Sequence, residues 1–423
     1  MDRRVVITGA GIVAPAGIGV SAFWDTVTSG CSAIRPISTF DASPFRSRIA
    51  AECDFDPVRA GLSAQQIRRL DRAAQFAVVA AKEAVADADL VVEPKLAARV
   101  GVSIGTAVGS TIRLEEEYLV LSDEGRRWLV DPRYAVPHLY DFFVPSSFAA
   151  EVAWLVGAEG PATVVSAGCT SGLDAVGHAY HLIGDGEADV VIAGGTDAPI
   201  SPITVACFDA IRATSPDNDR PRQALRPFDR SRSGFVLGEG AAVLVLEERE
   251  RALSRGARVH AEIAGFANRN NAYHMTGLRA DGREMAAAIS AAIGQAGLAP
   301  ADVDYVNAHG TGTKQNDRHE TAAIKHALGA HAYEVPVSSI KPIVGHSLGA
   351  IGAIEVLASA LALQTGVVPP TANLTEPDPE LDLDYVPIEA RSCPMSAVLC
   401  LGSGFGGFQT AMALTHPERE ERR

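Results

Sequence analysis

The chain lacks the cysteine spacing that would make a framework. Its six cysteines, Cys31, Cys53, Cys169, Cys207, Cys393 and Cys400, are scattered over 423 residues without a CxxC pair. That excludes a disulfide scaffold and a zinc site of the usual ligand spacing. Basic excess is also missing. The formal charge is −14 and no long basic run offsets it, so a nucleic-acid surface is excluded. Met1-Asp2-Arg3-Arg4 leads into a β-branched stretch without an apolar leader, and a reducing cytoplasm is the expected location. The longest apolar run, Ile343 to Leu363, is interrupted by His346, Glu355 and several glycines. It predicts a buried helix, not a membrane span. No linker rich in Pro, Gly or Ser divides the chain, so one compact unit is expected.

Hydrophobic residues make up 47% of the chain, ample for a large core. Short β-branched runs alternate with helical stretches. Val5–Ile7, Ala98–Ser103, Thr163–Ser166, Val190–Ala193 and Ala242–Leu246 read as strands. The same grammar restarts at Arg258–Gly265, Tyr305–Ala308, Val335–Ser338 and Ser396–Leu401. This predicts an α/β protein duplicated into halves 1–255 and 256–423, with Arg255-Gly256 as a topological mark. A strand, a small-residue turn and a helix recur at Cys169–Ile183 and at Gly345–Leu363. Leu173, Val176, Tyr180 and Ile183 fall at helical spacing, so the first of these helices buries one face; the second is apolar all round and should be more central. Gly109 to Ser147 has the least regular pattern, and His416–Arg423 is charged and expected to fray.

One constellation carries chemistry. Cys169 follows Val164-Val165-Ser166-Ala167-Gly168 and precedes an amphipathic stretch. That places a thiol at a helix N-terminus, where the dipole favours thiolate. His309 and His346 lie in glycine-rich turns, and Lys341 lies near the second. They suit proton transfer or N–H donation to a developing oxyanion, with the lysine orienting them.

Two other motifs compete. Gly9-Ala10-Gly11-Ile12-Val13-Ala14 satisfies a dinucleotide-binding pattern, but Pro15, Gly17 and Gly19 break the helix that must follow, and no acidic residue closes a second strand. Gly345-His346-Ser347-Leu348-Gly349 fits a serine nucleophile elbow, although no Asp and His follow in triad order.

The segments around Cys169, His309, Lys341 and His346 resemble, in order, the elongating β-ketoacyl synthases of the thiolase superfamily. So do Arg4–Gly9, Arg226-Pro227-Phe228-Asp229, Gly234–Gly240, Ala272–Thr276 and Gly402–Phe408. Within it, Asp317-Arg318-His319-Glu320-Thr321 and Gly407-Phe408-Gln409 look more like the ketosynthase α subunit of bacterial type II aromatic polyketide synthases. The resemblance implies a thiolase-like fold of five αβαβα layers with two mixed sheets, and a cap over residues 109–147. It implies decarboxylative Claisen condensation: Cys169 carries the acyl chain, His309 and His346 stabilise the malonyl enolate, and Lys341 accompanies them. Asp317 and Glu320 stand behind as second-shell or ion-binding groups. Phe405 would supply an oxyanion N–H and gate acyl entry, and Val108 would line the pocket. No cofactor or metal is implied beyond the phosphopantetheine of acyl carrier protein. Arg68, Arg69, Arg126, Arg127 and Arg212 match docking positions for that acidic carrier, against an adverse mean charge.

A homologous chain length factor is the implied partner, paired across Thr163–Ser166. A fatty-acid synthase of the same family is the nearest alternative. A coenzyme A-dependent thiolase, suggested by Cys400-Leu401-Gly402-Ser403-Gly404, lacks a counterpart of His309. A serine acyltransferase would rest on Ser347.

Overall fold

The computed structural model describes residues 3–15 and 17–418. The N-terminal half is built from β1 (Val5–Ala14), α1 (Arg72–Asp87), β2 (Val100–Gly105), α2 (Ser147–Val156), β3 (Ala162–Val165), α3 (Ser171–Gly184), β4 (Val190–Asp197) and β5 (Gly240–Glu248). The C-terminal half repeats the series with β6 (Ala261–Asn270), α4 (Arg283–Gln295), β7 (Tyr305–Asn307), α5 (Lys314–Leu328), β8 (Val337–Ser338), α6 (Ile351–Thr365), β9 (Ala397–Gly404) and β10 (Phe408–Thr415). The strands lie in the order β8-β7-β9-β10-β6-β1-β5-β4-β2-β3. Each half therefore arranges its strands first, fifth, fourth, second, third. The first two contacts are antiparallel and the last two parallel in both. Identical order and sense in two halves is the mark of duplication that the sequence grammar predicts.

The two expected mixed sheets are joined where Val5, Val6 and Ile7 of β1 pair with Ile263, Glu262 and Ala261 of β6. Helices cover both faces, so the strands carry apolar residues on both. On β5, Ala242, Leu244 and Leu246 face the central core while Ala241, Val243 and Val245 face α1 and α2. On β9, Val398 and Cys400 face that same centre, and Ala397, Leu399 and Leu401 face α4 and α5. The centre is α3 against α6, giving five layers in all. Helix α6 is buried from Ile351 to Leu363 all round, as its apolar composition predicts.

Several elements differ from the sequence expectation. Strand β1 runs on through Gly9 and Gly11 because bare backbone is what α1 needs there: a Cβ would stand 2.2 Å from Ala84 O at Gly9 and 2.1 Å from Ala80 O at Gly11. The glycines serve strand-to-helix packing and no phosphate loop forms. Helix α6 starts at Ile351 because Gly345 to Ala350 forms a turn with Leu348 at φ 48°. Strand β10 follows the last glycine run directly. Residues 109–147 fold as helices Thr111–Leu121 and Leu139–Phe143 around a 3-10 turn at Pro132–Tyr134. This excursion leaves Trp128 95% exposed, and Phe143, Tyr140 and Trp154 of α2 are exposed too. Strand β3 lies at the sheet's edge. Of the tail expected to fray, residues 419–423 lie outside the described residues. No helix among the described residues is long and apolar enough to cross a membrane.

Candidate active site

The turn between β3 and α3 is locked by its own side chains. Ser171 Oγ donates to Gly168 O at 2.6 Å and receives Ala167 N–H at 2.9 Å. Gly168 adopts φ 59° and lies against the Phe405 backbone, where a Cβ would be 3.1 Å from Phe405 O. This close approach lets the Phe405 N–H point at the Cys169 sulfur. The thiol is not a resting thiolate, contrary to the helix-dipole expectation. Burial pushes it up to about 12, and Asp197 and Glu355 push the same way; the Lys341 charge and the Phe405 N–H oppose them without prevailing. Half-buried at the cavity wall, the thiol loses more hydration than the helix end returns.

His309 follows β7 and is held by its backbone. Glu320 accepts the His309 N–H at 2.6 Å and the Gly310 N–H at 2.8 Å. Lys341 Nζ is 2.5 Å from Glu355 Oε1, bonds the His309 carbonyl, and lies 3.4 Å from His309 Nδ1. Since an ammonium only donates, Nδ1 is the acceptor and Nε2 carries the proton. The backbone N–H of His346 donates to Val236 O at 2.8 Å and its carbonyl accepts the Gly238 N–H at 3.0 Å. Its ring meets Phe235 edge-on at 5.0 Å and the His309 ring at 5.5 Å. Burial and the Lys341 charge hold both imidazoles well below the usual range, so both are neutral.

A cavity of about 360 Å³ is lined by Cys169, His309, His346 and Phe405, together with the buried Thr311 and the exposed Arg212. Asp317 and Glu320 stand behind it. Asp317 accepts Phe228 N–H at 2.9 Å and Gly312 N–H at 3.2 Å, with Arg232 Nε 3.4 Å away. Burial raises Asp317 to about 6 and Glu320 to about 7. Val108 packs in the apolar cluster that also touches Cys169. The Phe405 ring lies 6.5 Å from Phe208.

Of the five arginines expected at a docking surface, Arg212 alone lines the cavity. Arg69 is turned inward, with Nη2 2.7 Å from Glu151, because a half-buried guanidinium needs a carboxylate partner. Arg126 pairs with Glu124 at 2.5 Å and Arg127 with Asp131 at 3.4 Å, and Arg68 is exposed.

Two competing motifs fail on geometry. Ser347 is 1% exposed and its hydroxyl has no partner among the described residues, so no base activates it. Cys400 points into the central core, where burial pushes its thiol well up. Sequence reasoning missed Glu355, the buried partner of Lys341. Its only signal was a lone acid in an otherwise apolar helix.

Family models agree with the whole. The beta-ketoacyl synthase N-terminal domain matches residues 2–252 and its C-terminal domain residues 260–375. The tetracenomycin polyketide synthase ketoacyl synthase alpha subunit of Streptomyces glaucescens is 62% identical over 420 residues, 99% of this chain and 98% of that one. Among solved structures, a type II PKS ketosynthase bound to the hexaketide, in complex with its acyl-carrier protein, superposes with TM-score 0.92. It is 38% identical over 99% of this chain and 100% of its own. The ishigamide ketosynthase/chain length factor follows with TM-score 0.87 and 35% identity, covering 98% and 99%.

Proposed function

Because this chain belongs to the beta-ketoacyl synthase family, we propose that Cys169, His309 and His346 divide the work of a decarboxylative Claisen condensation. The enzyme is an acyltransferase, a ketosynthase of the type II polyketide kind. Acyl groups arrive on the phosphopantetheine of acyl carrier protein, and the chemistry calls for no cofactor beyond that arm. Cys169 attacks the carrier thioester, the pantetheine thiol leaves with the proton, and the acyl chain rests on the cysteine. Malonyl carrier protein then loses carbon dioxide. The enolate oxygen is received by the Nε2–H of His309 and by His346, which act as neutral donors. The carbanion attacks the Cys169 thioester, whose oxyanion is received by the N–H groups of Cys169 and Phe405, and the thiolate leaves and regains a proton.

The observation that carries this assignment is the pair of neutral imidazoles 5.5 Å apart, opening on the same cavity as the thiol, with Lys341 fixing the tautomer of one. Neutral rings donate N–H without competing as acids. The Cys400 thiol, enclosed in the core, supports this over a thiolase, which needs a second thiol at the substrate. Lys341 is oriented by Glu355, and Asp317 with Glu320 shape the His309 turn. Phe405 gates the acyl pocket that Val108 borders. The partners are an acyl carrier protein and a homologous chain length factor. The edge of β3, against which α2 with its exposed Trp154 packs, supports that second pairing. Free cysteines fit a reducing cytoplasm.

The test is peptide mass spectrometry after mixing the co-expressed pair with acylated carrier protein. An acyl adduct on Cys169 is expected, lost in Cys169→Ser with loss of product. An adduct on Ser347 with full product from Cys169→Ser would refute the assignment.

A further inference from the structure

The site is divided between the halves of the fold: Cys169 heads α3, whereas His346 lies in the turn before α6. Asp197, which ends β4, is fully buried and touches the segments between them. Its carboxylate receives the Thr106 hydroxyl at 2.7 Å and the N–H groups of Ala107 at 2.8 Å, Val108 at 3.3 Å and Gly349 at 2.6 Å. Thr106 Oγ1 itself accepts Gly109 N–H at 3.1 Å, so its proton is committed to Asp197. Four donors and no acceptor suit a carboxylate and no other side chain of that size.

Gly349 is gripped from both sides. Its N–H goes to Asp197 and its carbonyl accepts the N–H of Gly172 at 2.8 Å, in the first turn of α3. The fit admits no side chain: a Cβ at Gly349 would lie 2.4 Å from Ala107 N and 2.5 Å from Asp197 Oδ2. One residue thus ties the nucleophile's helix to the end of the histidine turn, and Asp197 holds it there.

The hydrogen bonds that hold the reacting residues do not include Asp197, although its charge raises the Cys169 thiol. The His346 backbone is held by Val236 and Gly238, and His309 is held by Glu320 at its backbone and Lys341 at its ring. The Cys169 turn is held by Ser171. What Asp197 governs is the offset between the thiol and the histidine pair. We propose that Asp197 is a positioning residue that sets the distance from Cys169 to His346 by clamping Gly349, and that carbon–carbon bond formation needs it while the two half-reactions do not.

This rests on the condensation reading, and the test separates the two. Asp197→Asn keeps the shape but turns an amide N–H₂ toward donors. In that variant, in complex with its partner, condensation should fall about a hundredfold, the usual cost of a misplacement near 1 Å. Primer-free carbon dioxide release from malonyl carrier protein should stay within about threefold of wild type, and alkylation of Cys169 by iodoacetamide should not fall, since loss of the Asp197 charge only eases thiolate formation. A common factor lost from all three rates would make Asp197 merely structural and overturn the proposal, as would unchanged condensation. Should Asp197→Asn not fold, Thr106 decides: Thr106→Val should lower condensation selectively and Thr106→Ser restore it, and wild-type condensation by Thr106→Val overturns the clamp. A wild-type pair that alkylates and decarboxylates but never condenses would instead sink the condensation reading.

Discussion

At the scale of single residues, the chemistry separates into parts that substitutions can isolate. If Cys169 only carries the acyl chain, Cys169→Ala abolishes condensation yet still releases labelled carbon dioxide from malonyl carrier protein without primer. His309→Ala and His346→Ala each suppress that release by about two to three powers of ten, the cost of one oxyanion donor. Decarboxylation lost with Cys169→Ala and kept with His309→Ala would reverse the roles. The resting thiol has its own signature. With burial raising Cys169 to about 12, thiolate is the minor form throughout the neutral range, and each pH unit gained multiplies it about tenfold. Iodoacetamide alkylation should therefore climb log-linearly from about pH 6 to 9, given the pKa of an ordinary thiol near 8.5 as contrast. A plateau near neutrality would show a thiolate stabilised beyond what the Phe405 N–H and Lys341 supply.

At the scale of elements, the two central helices cross on bare backbone. A Cβ at Gly352 of α6 would stand 2.7 Å from the Leu173 backbone N of α3, so Gly352→Ala forces the helices apart. Overpacking of this kind costs about 1–3 kcal/mol, and α3 carries the Cys169 turn at its head. Gly352→Ala should lower the melting temperature and condensation together, measured by calorimetry and product formation; an unshifted midpoint would mean the layer is slack. Elements were legible in proportion to their periodicity. The strands from Val190 and Gly240 announce themselves by continuous apolar runs, and the helix around Leu173, Val176, Tyr180 and Ile183 by its helical spacing. Strand β10 does not, because Gly406 and Gly407 at positive φ read as a turn with nothing to follow. Cys169, His309 and His346 stood out through their small-residue turns. Glu355 and Asp197 did not, since each acts on residues distant in sequence and only the assembled layers bring donor to acceptor.

At the scale of the molecule, an acidic protein must receive an acidic carrier, and the arginines are unequal to the task. Those of the cap are tied to Glu124 and Asp131, whereas the exposed Arg212 lines the cavity. Arg212→Glu should weaken turnover of carrier-bound substrate more than the pair Arg126→Glu and Arg127→Glu, with a pantetheine thioester insensitive to either. Equal loss for both substrates would remove Arg212 from docking. The co-expressed pair should sediment as a heterodimer, and monomers alone would refute the edge of β3 as its seam. The place of β1 in the sheet has a further effect, on biogenesis. Of the described strands β1 is made first, and beyond a short pairing of Val13 and Ala14 with Ile18 and Gly17 its partners are β5 and β6, which begin at Gly240 and Ala261. At about 5–20 residues per second, translation leaves it without those two strands for roughly ten to fifty seconds. During that time the run Val5–Val13, its edges largely unpaired, is an aggregation hazard. A nascent chain halted before Gly240 leaves that run open to protease; one halted well past Asn270 has closed over its own beginning.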